Sequence, residues 1–161
     1  MASSPMALAL STFRRLPVPL RRVIVRTVAP TFVVGVVAVM RNEAGELLLL
    51  RERHHDGWAL PGGLVSRHES TADALVRELR EEIAVSLPSE SLGMPLANLD
   101  PHLRRVDIIY EINAGSDVHP RPQEPEVFEA IWFPIAELPE LFEPTIAVLR
   151  IAGALTDGVV G

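Results

Sequence analysis

The hydrophobic positions of this chain fall into blocks with two different periods. Thr31 to Met40 is apolar at nearly every position and rich in Val, which predicts a central strand covered on both faces. It is far shorter than the roughly 20 residues of a membrane-spanning helix. The stretch Arg41-Asn42-Glu43-Ala44-Gly45 turns the chain, and Glu46 to Glu52 is expected to return as the neighbour of the first strand. Trp58-Ala59-Leu60 reads as a short strand ending at Pro61-Gly62-Gly63. The period then becomes helical from Ser70 to Ala84, where Ala72, Leu75, Val76, Leu79 and Ile83 fall within about a 100° arc. Further strands are predicted at Arg104 to Ile112, where Val106, Ile108 and Tyr110 alternate with Asp107, Ile109 and Glu111, and at Val127 to Phe133. A closing helix starts near Pro144, a favoured first-turn residue, and stops at Gly153. Strands broken by one strong helix and closed by another predict an α/β sandwich with a mixed sheet.

Residues 1–28 are read as a basic and apolar arm, 29–155 as the folded domain and 156–161 as a tail. In the arm, Pro17 and Pro19 interrupt any long helix. It is read as packing on the domain, with a targeting peptide or contact with an anionic membrane as the alternatives. At 161 residues, 48% hydrophobic and 22% charged, the chain is a single globular domain with one active site to find. It has no cysteine, and all fifteen basic residues are Arg. Thiolate nucleophiles, cysteine-ligated metals, Schiff-base lysines and the P-loop lysine are thereby excluded. Residues 1–42 hold six Arg and no acid, which leaves nine Arg against 21 acids, a net charge of −12, over the remainder. Such a body repels a nucleic-acid duplex and suits cations.

The helix at Ser70 carries an arrangement that local energetics disfavour. Ser70 caps it and Asp73 complements the first turn. Glu78, Glu81 and Glu82, however, converge at i,i+3 and i,i+4 spacing in the C-terminal half. There the helix dipole costs each anion roughly 0.3–1 kcal/mol, and like-charge neighbours add a few tenths. A solvated acidic face is the ordinary reading of such a run; a site for a hard divalent cation is the reading that compensates it. Gly62-Gly63 ahead of the helix let a backbone carbonyl approach a ligand, Glu69 stands at the entrance, and Arg77 lies one turn before Glu81 to orient its carboxylate.

Gly63, five residues, Glu69, seven residues, Arg77-Glu78-Leu79-Arg80-Glu81-Glu82, one residue, Ala84, Val85 resembles the Nudix box. One fixed position departs, with Ala84 where the family has Gly, so the helix is expected to continue toward Leu87 before Pro88. Chance agreement with the pattern at one place is on the order of 10⁻⁷, so the signal is specific. Trp58 to Gly63 and Trp132-Phe133-Pro134 to Glu137-Leu138-Pro139 extend the resemblance to roughly residues 30–152.

The resemblance implies a Nudix-type α/β/α sandwich and a hydrolase that uses one or more Mg²⁺ (or Mn²⁺) ions to cleave the diphosphate linkage of a small nucleotide, such as ADP-ribose, a nucleotide sugar or a nucleoside triphosphate. Carried over by position, Glu78, Glu81 and Glu82 with the Gly63 carbonyl hold metal, Arg77 orients the glutamates, and Glu69 serves as a helix-end anchor or behind the ligands. Glu129 is the expected ligand from beyond the box, in preference to Glu126 and Glu124. Arg51, Arg53, Trp58 and Arg104 are candidate substrate contacts, with Arg105 and Tyr110 beside them. His54-His55 is set aside as a metal pair because neighbours on a strand point to opposite faces. Pro101, sixteen residues past the box, is the family's hint of ADP-ribose hydrolysis. Isopentenyl diphosphate isomerase shares the fold but uses a cysteine this chain lacks, and the remaining alternative is a non-catalytic nucleotide-sensing module. The oligomeric state is not readable from the sequence, a homodimer being one possibility, and a cytoplasmic location is expected, or an organelle if residues 1–28 are a transit peptide.

Overall fold

The structure is a computed structural model and describes residues 13–155. The chain divides into two units, Met1–Phe32 and Val33–Gly161. In the first, helix α1 (Val18–Val28) begins directly after Pro17 and carries Pro19 in its first turn, where no intrahelical N–H bond is lost. The two prolines thus start a helix of 11 residues. No helix of the described residues is long and apolar enough to cross a membrane.

The second unit is built on strand β1 (Val33–Arg41), whose side chains are buried on both faces as its apolar run predicts. Val36, Ala38 and Met40 enter one core and Val39 the other. β1 runs parallel to β6 (Arg105–Asn113) from Val33↔Arg105 to Arg41↔Asn113. After β1 the chain turns through Asn42, whose Oδ1 accepts from the Ala44 and Glu46 amides, and through Gly45 at φ 78°.

Strand β2 (Leu47–Glu52) returns as the antiparallel neighbour of β1, as expected, although the two meet only at Arg41↔Leu47. Its ladders lie with β3 (Trp58–Ala59) and with β7 (Val127–Phe133). The place beside β1 is taken by β4 (Gly62–Leu64), antiparallel at Val36↔Gly63. Glycine permits this approach, since a Cβ on Gly62 would overlap the Val36 carbonyl. Gly62 and Gly63, expected at the end of a strand, open the next one. β5 (Leu96–Asp100) was also not foreseen, and it is an edge strand with mostly exposed residues and no apolar alternation.

Helix α2 (Thr71–Ile83) covers one face of the sheet with Leu75, Leu79 and Ile83, and helix α3 (Glu143–Ile151) covers the other with Val148 and Leu149. The result is the expected α/β/α sandwich around a mixed seven-stranded sheet. Ser70 caps α2, its Oγ accepting from the Asp73 amide at 3.1 Å. The far end corrects the sequence reading. Ala84 does not continue the helix but takes the left-handed conformation at φ 56°, ψ 25°. Its N–H bonds to the Arg80 carbonyl, and the Val85 N–H bonds to the Leu79 carbonyl at 3.1 Å. Burial of Val85 in the core of α2 gives the chain reason to turn at once, although an L-residue in this conformation costs roughly 1–2 kcal/mol.

Relieving that strain is a direct test of the helix stop. Ala84→Gly is expected to raise the melting temperature by about 2–4 °C, the effect of roughly 1 kcal/mol in a domain of this size. A lowered melting temperature would mean that Ala84 is not held in the left-handed region.

Candidate active site

The loop from β4 into α2 is fastened by a single guanidinium. Arg77 Nε and Nη2 donate to the two oxygens of Glu69 at 2.9 and 3.1 Å. Nη1 donates to Glu78 Oε1 at 2.8 Å and Glu81 Oε2 at 3.2 Å, and Nη2 also reaches the Leu64 carbonyl at 3.0 Å. All five N–H donors of the side chain are therefore used, in the planar fork geometry that only arginine offers. Glu69 accepts in addition from the Ser66 amide, and its carboxyl is held below the usual range by the Arg77 bonds and that amide. Its part is to lock the loop to the helix. Arg77 pairs with two glutamates of the acidic trio, Glu78 and Glu81. Gly63 lies against the Glu78 carboxylate so closely that a Cβ would overlap it, which is a second reason for glycine at that position.

The trio itself divides. Glu81 is on the outer rim, with its side chain 53% exposed. Glu82 turns inward and is only 6% exposed, its Oε2 accepting from the Gly62 amide at 3.0 Å. Burial first, then the charges of Glu52, Glu78 and Glu126, push its carboxyl up to about 9 against the Gly62 hydrogen bond. Glu52 is pushed up to about 7 by burial and by Glu126 and Glu78. The acidic group at the heart of this site is therefore Glu52, Glu78, Glu82 and Glu126, drawn from β2, α2 and the lead-in to β7. Among the described residues no three acidic or histidine side chains are already gathered around one point as a metal cage. Glu78 and Glu81 lean on Arg77 instead.

Two assignments change in consequence. Glu129 is not brought to the cluster. It alternates with Ala130, which packs with Trp132 in the core beneath α2, so it falls on the opposite face of β7, exposed and opposite Arg51. Glu126, passed over in the sequence, is the acid of that segment whose charge acts on Glu82 and Glu52. Glu52 was missed altogether, yet a signal was available: Leu48 and Leu50 face α2, and the period of two puts residue 52 on the same side.

Beside the cluster lies a cavity of about 310 Å³, whose wall includes Glu52 and Gly62 together with His55, Arg105, Asp107 and Phe142. The His55 ring stacks on Phe142 with centroids 4.1 Å apart and planes 14° from parallel. Its Nδ1 is 3.0 Å from Glu52 Oε2 without hydrogen-bond alignment. Burial, His54 and Arg105 lower the pKa of His55, which favours the neutral ring. Arg105 Nε donates to the buried Asp107 at 2.6 Å, and both sit where a Cβ on Gly35 would intrude.

The expected substrate contacts are mostly elsewhere. Trp58 is a core residue, 9% exposed and edge-on to Phe133 at 4.9 Å, because its ring completes the packing under α3. Arg51 is exposed between Trp58 and Glu129 on neighbouring strands. Arg53 holds the approach to β7, donating to the Pro125 carbonyl at 3.3 Å and lying 5.3 Å over the Phe128 ring. Arg104 is exposed in the turn before β6 at φ 50°. Neither Arg51, Arg53 nor Arg104 lines the cavity; Arg105 does. Tyr110 is buried and bonds Thr71 Oγ1 at 2.8 Å.

Comparison with known proteins agrees with this architecture. The sequence model of the NUDIX domain matches residues 31–150. The human 8-oxo-dGDP phosphatase NUDT18 is 28% identical over 107 residues, covering 65% of this chain and 33% of that protein. An RNA pyrophosphohydrolase of Pseudomonas savastanoi is 38% identical over 47 residues, 29% of this chain and 30% of that protein. This chain thus spans about a third of the length of the curated relatives it matches. Among solved structures, a MutT NUDIX hydrolase from Burkholderia pseudomallei superimposes with a TM-score of 0.61 at 28% identity, over 74% of this chain and 96% of that one. With the family match running from the start of the central strand into the closing helix, the protein belongs to the Nudix family.

Proposed function

We propose that this protein is a divalent-metal-dependent hydrolase that cleaves a phosphoric anhydride in a small nucleotide derivative. The observation that carries the reading is the buried Glu82, crowded by Glu52, Glu78 and Glu126 without a cation bonded to it. Such a set is unfavourable by itself and becomes favourable around Mg²⁺ or Mn²⁺, which prefer carboxylate and carbonyl oxygens. The donors fit that group in kind: Glu78 and Glu82 with the Gly63 carbonyl would hold it, with Glu126 completing the set and Glu81 available at the rim. A divalent cation bound there neutralises diphosphate charge and makes a water more acidic.

The protein's own groups then have separable tasks. Arg77 keeps Glu78 and Glu81 in fixed rotamers while Glu69 anchors Arg77 to the loop. Glu52, next to both the cluster and the cavity, is placed to accept the proton of the attacking water. The cavity receives the nucleoside part, with the His55–Phe142 stack and the Arg105–Asp107 pair as its contacts. The products are two phosphate-bearing fragments. The human relative is by name a phosphatase of 8-oxo-dGDP and the Pseudomonas relative a pyrophosphohydrolase of RNA, which supports a nucleotide anhydride as the substrate class.

The experiment is incubation with ADP-ribose, nucleotide sugars and nucleoside di- and triphosphates in the presence of Mg²⁺ or Mn²⁺, with the phosphate-containing products identified. The wild-type chain is expected to cleave at least one of them, and Glu82→Gln to lower turnover at least about a hundredfold. No cleavage of any, or unchanged turnover in the variant, overturns the reading.

Without metal, the same crowding has a pH signature. The carboxyls of Glu82 and Glu52 sit above their ordinary 4.5 in the folded chain, near 9 and 7. The folded state therefore binds more protons than the unfolded one between those values, and stability is lost as pH rises through them. In EDTA the melting temperature is expected to fall from pH 5.5 to pH 8.5 by roughly the effect of these two groups, and Glu82→Gln to flatten the fall. A melting temperature that rises over that window contradicts the crowding.

A further inference from the structure

The catalytic reading makes no use of α1. Residues 1–42 contain six arginines and no acid, and α1 displays apolar side chains to solvent beside two of those arginines. Leu20 is 46% and Val23 59% exposed. At about 100° per residue, Leu20, Val23 and Ile24 fall within an arc of roughly 100°, with Arg21 and Arg22 outside it. Val18, Val25 and Val28 are at least half exposed as well. Arg22 is exposed, while Ile24 and Arg21 are half-buried, the Nε of Arg21 being enclosed without a hydrogen-bond partner. An apolar strip beside guanidinium groups, in a segment with no acid of its own, is the chemistry of helices that lie in the plane of a membrane interface. The strip enters the acyl boundary while the cations stay with the lipid phosphates.

We propose that α1 docks the protein on an anionic lipid surface. Charge complementarity selects the sign of that surface, and the exposed Leu20 and Val23 select lipid over other polyanions. A nucleic-acid backbone would engage Arg21 and Arg22 but leave those apolar side chains in water. A second copy of this chain offers negative charge, since residues 43–161 carry a net −12, but such an attraction calls on no apolar strip. The strip and the cations together are used only at a lipid interface.

The test is flotation of the full chain with vesicles of phosphatidylcholine alone or phosphatidylcholine with phosphatidylglycerol, at low and at high salt. The chain is expected to float only with the anionic vesicles and to be released by salt. Arg21→Gln with Arg22→Gln should lower the partition about thirtyfold, the loss of two cationic contacts. Leu20→Ser with Val23→Ser should lower it without altering charge, and neither pair should alter nucleotide hydrolysis. Equal flotation with both kinds of vesicle, flotation with neither, retention by RNA alone, or a concentration-dependent dimer that the same substitutions dissolve while vesicles go unbound overturns the proposal.

Discussion

Four carboxylates share one end of the sheet beneath α2, and of these only Glu78 is bonded to the nearby Arg77. That imbalance is the constraint around which the rest is arranged. A buried carboxylate without a cation keeps its proton, because its charged form is poorly solvated and repelled by its neighbours. The same two effects push the carboxyl of Glu82 up to about 9 and that of Glu52 up to about 7. The fold tolerates the arrangement because the apolar face of the same helix is fully engaged, with Leu75, Leu79 and Ile83 buried completely. Hydrophobic burial of that order, roughly 1.5–3 kcal/mol for each large side chain, outweighs the repulsion on the other stripe.

The surroundings of the cluster are shaped by close approach. Gly62 lets β4 lie against β1, Gly63 makes room for the Glu78 carboxylate, and Gly35 leaves space for Arg105 and Asp107. Arg77 then ties the loop to the helix, its donors divided between Glu69 and the Leu64 carbonyl on the loop side and Glu78 and Glu81 on α2. The left-handed Ala84 turns Val85 into the core and ends the helix at Ile83, one residue past Glu82. Rigid backbone on both sides of the acids holds them where side-chain flexibility alone would let them part.

Much of this was legible in the sequence. The central strand, both covering helices and the strand at Val127 followed from hydrophobic period, because each buries a large apolar surface. The box residues followed from spacing, because a helix converts i,i+3 and i,i+4 into a shared stripe. The residues that escaped are those whose placement depends on pairing between distant segments. β4 and β5 have little apolar pattern and exist because β1 and β6 offer them an edge. Glu129 lies on the far face of β7 because it alternates with Ala130, a parity fixed by the pairing of Ala130 with Leu50 on β2 and invisible in composition. Trp58 and Arg53 looked available for substrate until the packing of Phe133 and Phe128 occupied them. Resemblance located the acids of the helix, but only the fold revealed that β2 contributes Glu52.

On the proposed reading, protons and a divalent cation compete at the same carboxylates, Glu82 and Glu52. Calorimetric titration of the metal-free protein with Mn²⁺ at pH 7, in two buffers of different ionisation enthalpy, measures that competition directly. Binding is predicted to release about one proton or more per ion, taken from Glu82 and Glu52. Absence of binding, or binding with no proton released, would contradict it.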